Sequence, residues 1–495
     1  MAKYEYPPSH YIQSYAPFDE TSHFVVVGKA EFDEVTVDCE FEVVYTHNCE
    51  IIVILYFSQQ TVWQLFWHKT QDIGSTSYDL RYPIPNTRLK RLSGIEERVG
   101  FEIIVQDCSL RNLGGFNIPS TFTASFFQRI DKRTSVIESY PYKNHYVFEL
   151  TGIDFDTDFP EQRSFPINDD RPALILESIH KQKRQYDNQP LARLLMPKDT
   201  LPEGWTPEDL VDLWCALVSL AIGRDVRWVE MEDPTEIQII AKWRFRSNVL
   251  GMNNFTGLIC LNPLDFDPTL AITFVKRCFE SIQQGIISPL LSSNYTLAIR
   301  HYVNYRLMKQ RSEDHARLIG TTIEELLTVW ENTQNFESET IVTREEMTEI
   351  WTMTEKILYQ VVENFDGDKN RKKKIKDKMK YLLRRELPRF RFGDRLERYF
   401  LSHEQEMPLN WYVKNVSSRL PHFVETRNMV IHVGKFPGLE NETKHWHYLN
   451  LLMILPLMIF TLFRYDGSYI DLTEYYKQGN YSGRGGMRGD PKNAR

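Results

Sequence analysis

The sequence predicts a multidomain α+β protein. It divides into a β-rich, sandwich-like module over residues 1–158, an α+β module over 172–296 and an all-α helical bundle over 297–470, followed by a flexible glycine- and arginine-rich tail at 478–495. Three observations predict this. The chain has 495 residues, enough for two to four domains at about 100–200 residues each. Short runs of β-branched and aromatic residues crowd its first 155 positions. From about residue 297 helical periodicity takes over.

The β-rich reading rests on His23–Gly28, Phe41–Tyr45, Ile51–Phe57, Phe101–Val105 and Thr121–Phe126, each bounded by turn-forming residues. Asp154 to Asp158 alternates carboxylates, but it lacks the glycine and the later glutamate of a calcium loop and reads as a linker. The Pro- and Asp-rich stretch from Phe159 to Arg171 reads as a boundary. In the second module Thr206 and Pro207 open a helix, as N-cap and first helical residue, and Gly223 closes it. Strands at Val226–Val229 and Ile237–Ile240 follow, then a helix around Leu270–Ile286.

In the third module Thr321 opens one helix, and Thr343 with Glu346 has the capping-box spacing for another. A basic helix starts near Lys369, short helices follow at Arg391–Ser402 and Asn410–Arg419, Pro421 opens a helix that Gly434 closes, and an apolar helix runs from about His445 to Phe463.

Composition narrows the class. With 42% hydrophobic and 25% charged residues, the chain is neither mostly disordered nor a small disulfide scaffold. Its six cysteines are scattered without a Cys-x-x-Cys pair, which points to a reducing cytoplasm and to no zinc ribbon. No signal-peptide pattern opens the sequence. The longest apolar run, Leu451–Phe463, is shorter than the roughly 20 residues of a membrane span and reads as a core helix. No phosphate-binding glycine loop, nucleophile elbow or His-Glu-x-x-His motif occurs.

The net charge of −8 is unevenly spread. Between Lys369 and Arg398 lie 14 Lys or Arg and 4 Asp or Glu, a local balance of +10 on an otherwise acidic chain. Such an island fits a polyanionic partner, nucleic acid above all, or a solvated helix face.

The chemistry-bearing motif is Arg427-Asn428-Met-Val-Ile-His432. On a helical wheel Leu420, Phe423, Val424, Val430 and Ile431 form an apolar stripe with Arg427 near its middle, where a guanidinium is costly unless paired or at an interface. Asn428 and His432, four apart, share the polar side. Cleaving RNA without a metal needs a group to take the 2′-hydroxyl proton, a group to protonate the leaving oxygen and a cation for the phosphorane-like charge. Histidine and arginine suit these tasks. One helix supplies one of each, and two helices across a dimer axis supply two. Spacing alone is weak, because 34 Arg and 13 His give about one Arg-x4-His by chance, and Arg398 to His403 is a second match. The adjacent Asn428 and the late position between apolar helices set Arg427 apart.

On these residues the sequence resembles the HEPN superfamily, whose ribonucleases carry Arg, a polar residue and then His late in a compact helical bundle. Arg427, Asn428 and His432 match that motif, and Phe392–Phe400 is similar to the helix before it in many members. The resemblance covers about residues 310–470. The layout, a long N-terminal region ahead of the bundle, is similar to that of ApeA-type anti-phage proteins. The resemblance implies a metal-independent endoribonuclease, with no cofactor, that cuts tRNA or other cellular RNA as a homodimer or higher homo-oligomer in abortive infection. It implies His432 as general acid/base, Arg427 as transition-state cation and Asn428 as positioning residue. Lys372, Lys373, Lys374, Lys376, Arg384 and Arg385 would hold RNA backbone. The N-terminal modules would sense a phage-derived trigger or silence the nuclease.

Plainer readings stand beside it. Arg427 can instead pair with an acid such as Glu425 or Glu397, with His432 capping the helix. The domain can be a non-catalytic scaffold that binds RNA or nucleotide or only dimerises. A nuclease held by a separate antitoxin is a third reading. His422 is a candidate second proton carrier, whereas His445 and His447 bracket Trp446 and point apart on a helix, against a metal role. Trp63, Phe66 and Trp67 read as core rather than as a base-stacking platform.

Overall fold

The computed structural model describes residues 23–32, 36–46, 50–56, 89–112, 120–153, 164–165, 174–178, 192–244, 257–259, 268–307, 313–334, 350, 354, 357, 360–362, 364, 368–381, 392–433, 441–467 and 469–473. The expectations at Asp154–Asp158, Trp63, Phe66, Trp67, Thr343, Arg384, Arg385 and the tail lie outside the described residues. The chain divides into two compact units, residues 1–284 and 285–495.

The first unit is built on antiparallel strands. Strands β1 (His23–Phe32), β2 (Thr36–Tyr45), β3 (Ile51–Tyr56), β4 (Leu89–Glu96), β5 (Glu102–Asn112) and β6 (Ser120–Asp131) pair in the order β3-β2-β1-β4-β5-β6. β3 also pairs with β6, from Ile51 opposite Ala124 to Leu55 opposite Ser120, so the six strands close into a barrel. Alternate residues face inward, as the two-residue period of a strand requires. Phe24, Val26, Phe41, Val43, Tyr45, Val53, Leu92, Val105 and Phe127 fill this core. Gly28 of β1 stands opposite Gly94 of β4. A Cβ on Gly28 would lie 2.0 Å from the Ser93 carbonyl oxygen, so the two backbones approach closely only without side chains there.

β6 has two successive neighbours along one edge. Its first half pairs with β3, and its second half, Phe126–Asp131, pairs with β12 (Ile239–Arg244). From there an open sheet continues through β11 (Arg227–Pro234), β7 (His145–Thr151), β10 (Ala192–Pro197), β9 (Leu174–Ser178) and the two-residue β8 (Ser164–Phe165). Phe127 of β6 stacks on Trp243 of β12, with centroids 4.4 Å apart and planes 2° from parallel. The sheet therefore crosses the boundary expected at 159–171, and strands of the two expected N-terminal modules share one structure. Pairing between residues about 110 positions apart leaves no local pattern to read.

Short helix α1 (Thr134–Ser139) follows β6, and α2 (Pro207–Ile222) begins as the sequence predicts. The Thr206 hydroxyl accepts from the Asp209 amide at 3.1 Å, and Gly223 ends the helix at φ 75°. Helix α3 (Pro268–Gln283) packs against α2.

The second unit is helical. It holds α4 (Pro289–Leu307), α5 (Glu313–Thr333), the basic α6 (Lys369–Tyr381), α7 (Phe392–Ser402), α8 (Leu420–Asn428) and α9 (Asn441–Leu462). α5 packs against α4, α7, α8 and α9, and α8 lies along α9. Thr321 does not open α5, which begins eight residues earlier at Glu313. Thr321 and Thr322 are instead mid-helix, their hydroxyls donating to the Arg317 and Leu318 carbonyls at 3.0 and 2.8 Å. The apolar run Leu451–Phe463 is buried in the bundle with Tyr295, Tyr302, Trp330 and Phe423. The Tyr399 hydroxyl donates to the Met458 carbonyl at 2.9 Å and meets the Tyr295 hydroxyl at 3.3 Å. No helix among the described residues is long and apolar enough to cross a membrane.

Candidate functional site

Helix α8 carries the site. Pro421 sits in its first turn, where its missing N–H costs nothing, and Phe423, at 0% exposure, seats it in the bundle. Arg427 is buried at 7% exposure, as its place in the apolar stripe predicts. It is fully engaged on one side: its guanidinium pairs with Glu324 of α5, donates to Asn428 Oδ1 at 3.0 Å and lies over the Phe392 ring of α7, 4.6 Å from the centroid. Its Nε is buried without a hydrogen-bond partner among the described residues. The acid is neither Glu425 nor Glu397. Glu397 accepts from the Tyr412 hydroxyl at 2.9 Å, and Glu425 faces elsewhere.

After Asn428 the backbone leaves the α-helical path and makes one π-turn, Met429–Val433, which carries His432. In an α-helix residues five apart stand about 140° apart, whereas a π-turn, with its i→i+5 bond, brings them nearly over one another. Arg427 lies in the α-helix just before this turn, and the turn changes where His432 falls around the helix compared with a continued α-helix. The His432 side chain lies outside the described residues.

The second Arg-x4-His pair is structural. Arg398 and Arg395 both pair with the buried Glu331 of α5. His403 Nδ1 donates to the Tyr399 carbonyl at 2.8 Å, and its ring packs 4.9 Å from that of Tyr399. Burial pulls its pKa below the ordinary histidine value.

The basic helix forms where the sequence places it. The Asp368 carboxylate caps it, accepting from the Arg371 amide at 2.8 Å. Lys373 and Lys374 are exposed, and Lys372 and Lys376 are half-buried. Arg427 has no hydrogen bond or ion pair to this helix among the described residues.

One grouping was not anticipated. His422 and Glu425, one turn apart on α8, meet His447 of α9, and one ligand atom from each lies within 4.8 Å of the others. The rings of His422 and His447 stand at 71° with centroids 6.0 Å apart. The His-x-x-Glu spacing was the available signal, but its third member sits on a different helix. Burial pulls the His447 pKa down, against the opposing field of Glu425.

Comparison with known protein families, curated proteins and solved structures finds no match for this chain.

Proposed function

We propose that this chain is a metal-independent endoribonuclease of the HEPN type, cutting cellular RNA such as tRNA as a homodimer in defence against phage, with the first unit regulating it. The observation that supports it is the Arg427–Asn428 pair, joined at 3.0 Å on the threshold of the π-turn that carries His432. π-turns recur at functional sites because they re-aim side chains at a cost in helix regularity.

In this reading His432 takes and returns the proton. Arg427 steadies the phosphorane-like charge through the guanidinium edge that Glu324 holds at rest, and Asn428 orients the guanidinium. The Glu324 side chain is 40% exposed, so a phosphate can compete with it for Arg427. Attack of the 2′-oxygen on phosphorus breaks the bond to the 5′-oxygen and leaves a 2′,3′-cyclic phosphate and a 5′-hydroxyl. One chain brings one histidine, and a second copy brings the other proton carrier. Lys372, Lys373, Lys374 and Lys376, with Arg384 and Arg385, hold backbone phosphates without reading sequence.

The burial of Arg427 and its pairing with Glu324 favour a second reading, in which Arg427 clamps α8 to α5 in a non-catalytic RNA-binding or dimerisation scaffold. The deciding experiment is cleavage of total tRNA in EDTA by the full chain, by residues 285–495 and by both with His432→Ala, folding checked by circular dichroism. Fragments ending in 2′,3′-cyclic phosphate, lost in His432→Ala, support the nuclease. Cleavage that survives His432→Ala, or that EDTA abolishes, overturns it.

A further inference from the structure

We infer that His422, Glu425 and His447 form a binding site for a divalent transition metal of the zinc type, which ties α8 to α9. Two imidazoles and a carboxylate are a donor set that suits zinc and excludes magnesium and calcium, which take oxygen ligands. His422 and Glu425 come from one face of α8, three residues apart, and His447 comes from the facing helix.

A second observation points to a ligand. The His447 Nδ1 lies 2.7 Å from Thr426 Oγ1, and that hydroxyl donates its own proton to the His422 carbonyl at 2.6 Å. With the hydroxyl proton directed there, the geometry lets the Thr426 oxygen accept from Nδ1–H, the tautomer that leaves the Nε2 lone pair for a metal. This is the outer-shell arrangement that orients a metal-binding histidine. Thr426 is fully buried, so the arrangement is locked in the core. Among the described residues neither the His422 ring nor the Glu425 carboxylate has a hydrogen-bond partner of its own.

Zinc bonds of about 2.0–2.1 Å set ligand atoms roughly 3.4 Å apart, so groups within 4.8 Å of one another need to close by up to about 1.4 Å. His422 and Glu425 are exposed and free to turn that far, while His447 stays fixed. Water completes a fourth position. Metal here braces the helix that bears Arg427 and Asn428 and takes no part in the proposed proton transfers, so the site stands or falls independently of the proposed nuclease.

The test is a zinc titration of the metal-stripped full chain, read by equilibrium dialysis with elemental analysis, with magnesium in millimolar excess. One zinc per chain is expected, with the thermal midpoint rising on binding. His422→Ala and Glu425→Gln alter exposed groups and keep the fold, and each weakens that zinc at least tenfold. Thr426→Val, which preserves shape, weakens it about 10–100-fold through the outer shell. No saturable zinc at micromolar concentration, or one whose affinity all three substitutions leave unchanged, overturns the inference.

Discussion

Gly320 of α5 lies directly under Arg427 of α8: a Cβ on Gly320 would stand 3.1 Å from Arg427 Cγ and 3.5 Å from Ile431 Cδ1. The missing side chain is what admits the arginine stem between the two helices. Gly320→Ala gains about 1 kcal/mol of helix propensity and loses a similar amount to the tight contact, for a near-neutral sum. Gly320→Val overfills the space and costs about 1–3 kcal/mol. Urea denaturation of both variants checks the contrast, and equal midpoints would remove the steric account.

Glu324 is the counter-charge of Arg427. Glu324→Gln leaves a buried guanidinium with a weaker partner and lowers stability by about 1–2 kcal/mol, the exposure of Glu324 keeping the loss modest. If Arg427 serves phosphate, the same substitution frees it, and tRNA cleavage at matched folded concentration holds or rises. A fall in cleavage at matched folded concentration would contradict that role.

Lys372, Lys373, Lys374 and Lys376 give RNA binding a salt signature. Replacing all four with alanine lowers the slope of log affinity against log salt by about 3, from about 0.7 per single-strand phosphate contact. Fluorescence anisotropy between 50 and 300 mM salt, ranges of the kind where about such slopes are read, measures it. An unchanged slope would place the RNA elsewhere.

Acid weakens the helical unit through two half-buried histidines. Burial holds the pKa of His301 and of His403 below the ordinary value of 6.5. Their folded forms stay neutral where the unfolded chain takes up protons. The stability they contribute is complete above about pH 6.5 and is lost as pH falls from there toward their lower folded values. The thermal midpoint is therefore lower at pH 5.5 than at pH 7.5, and His403→Asn shallows the slope. A midpoint that rises on acidification would contradict this.

Chelation separates the two functional proposals. EDTA lowers the thermal midpoint by removing the metal at His422, Glu425 and His447, and it leaves the rate of tRNA cleavage at 25 °C within about twofold, a difference of under about 0.5 kcal/mol. Loss of cleavage in EDTA at a temperature where circular dichroism shows the chain still folded would join metal and chemistry and refute the metal-independent mechanism.

Local signals were legible in the sequence. Thr206 and Gly223 bound their helix as read, Lys369 opens the basic helix, and Arg427 is buried where the apolar stripe places it. Each of these depends on neighbours within a turn or two. What escaped depends on distance along the chain. Glu324, the partner of Arg427, is 103 residues away. His447 joins His422 and Glu425 from another helix, and β12 joins β6 across the expected domain boundary. Thr321 misled because threonine serves equally as an N-cap and as a mid-helix residue bonded to a carbonyl one turn back. The π-turn at Met429–Val433 has no signature in residue type alone.

The double role of β6 has a consequence for synthesis. The barrel strands are complete once Asp131 has left the ribosome, but the partner of Asp131 is Ile239. At about 5–20 residues per second, the second half of β6 waits on the order of 5–20 s as an open edge on a nascent chain. Phe127, which waits with it for Trp243, is among the largest buried side chains of the finished fold. A strand edge left open for that long, with Phe127 uncovered, is a template for pairing with another chain. Translation speed between residues 131 and 244, and chaperone occupancy over that window, therefore set how much of this protein reaches its native form.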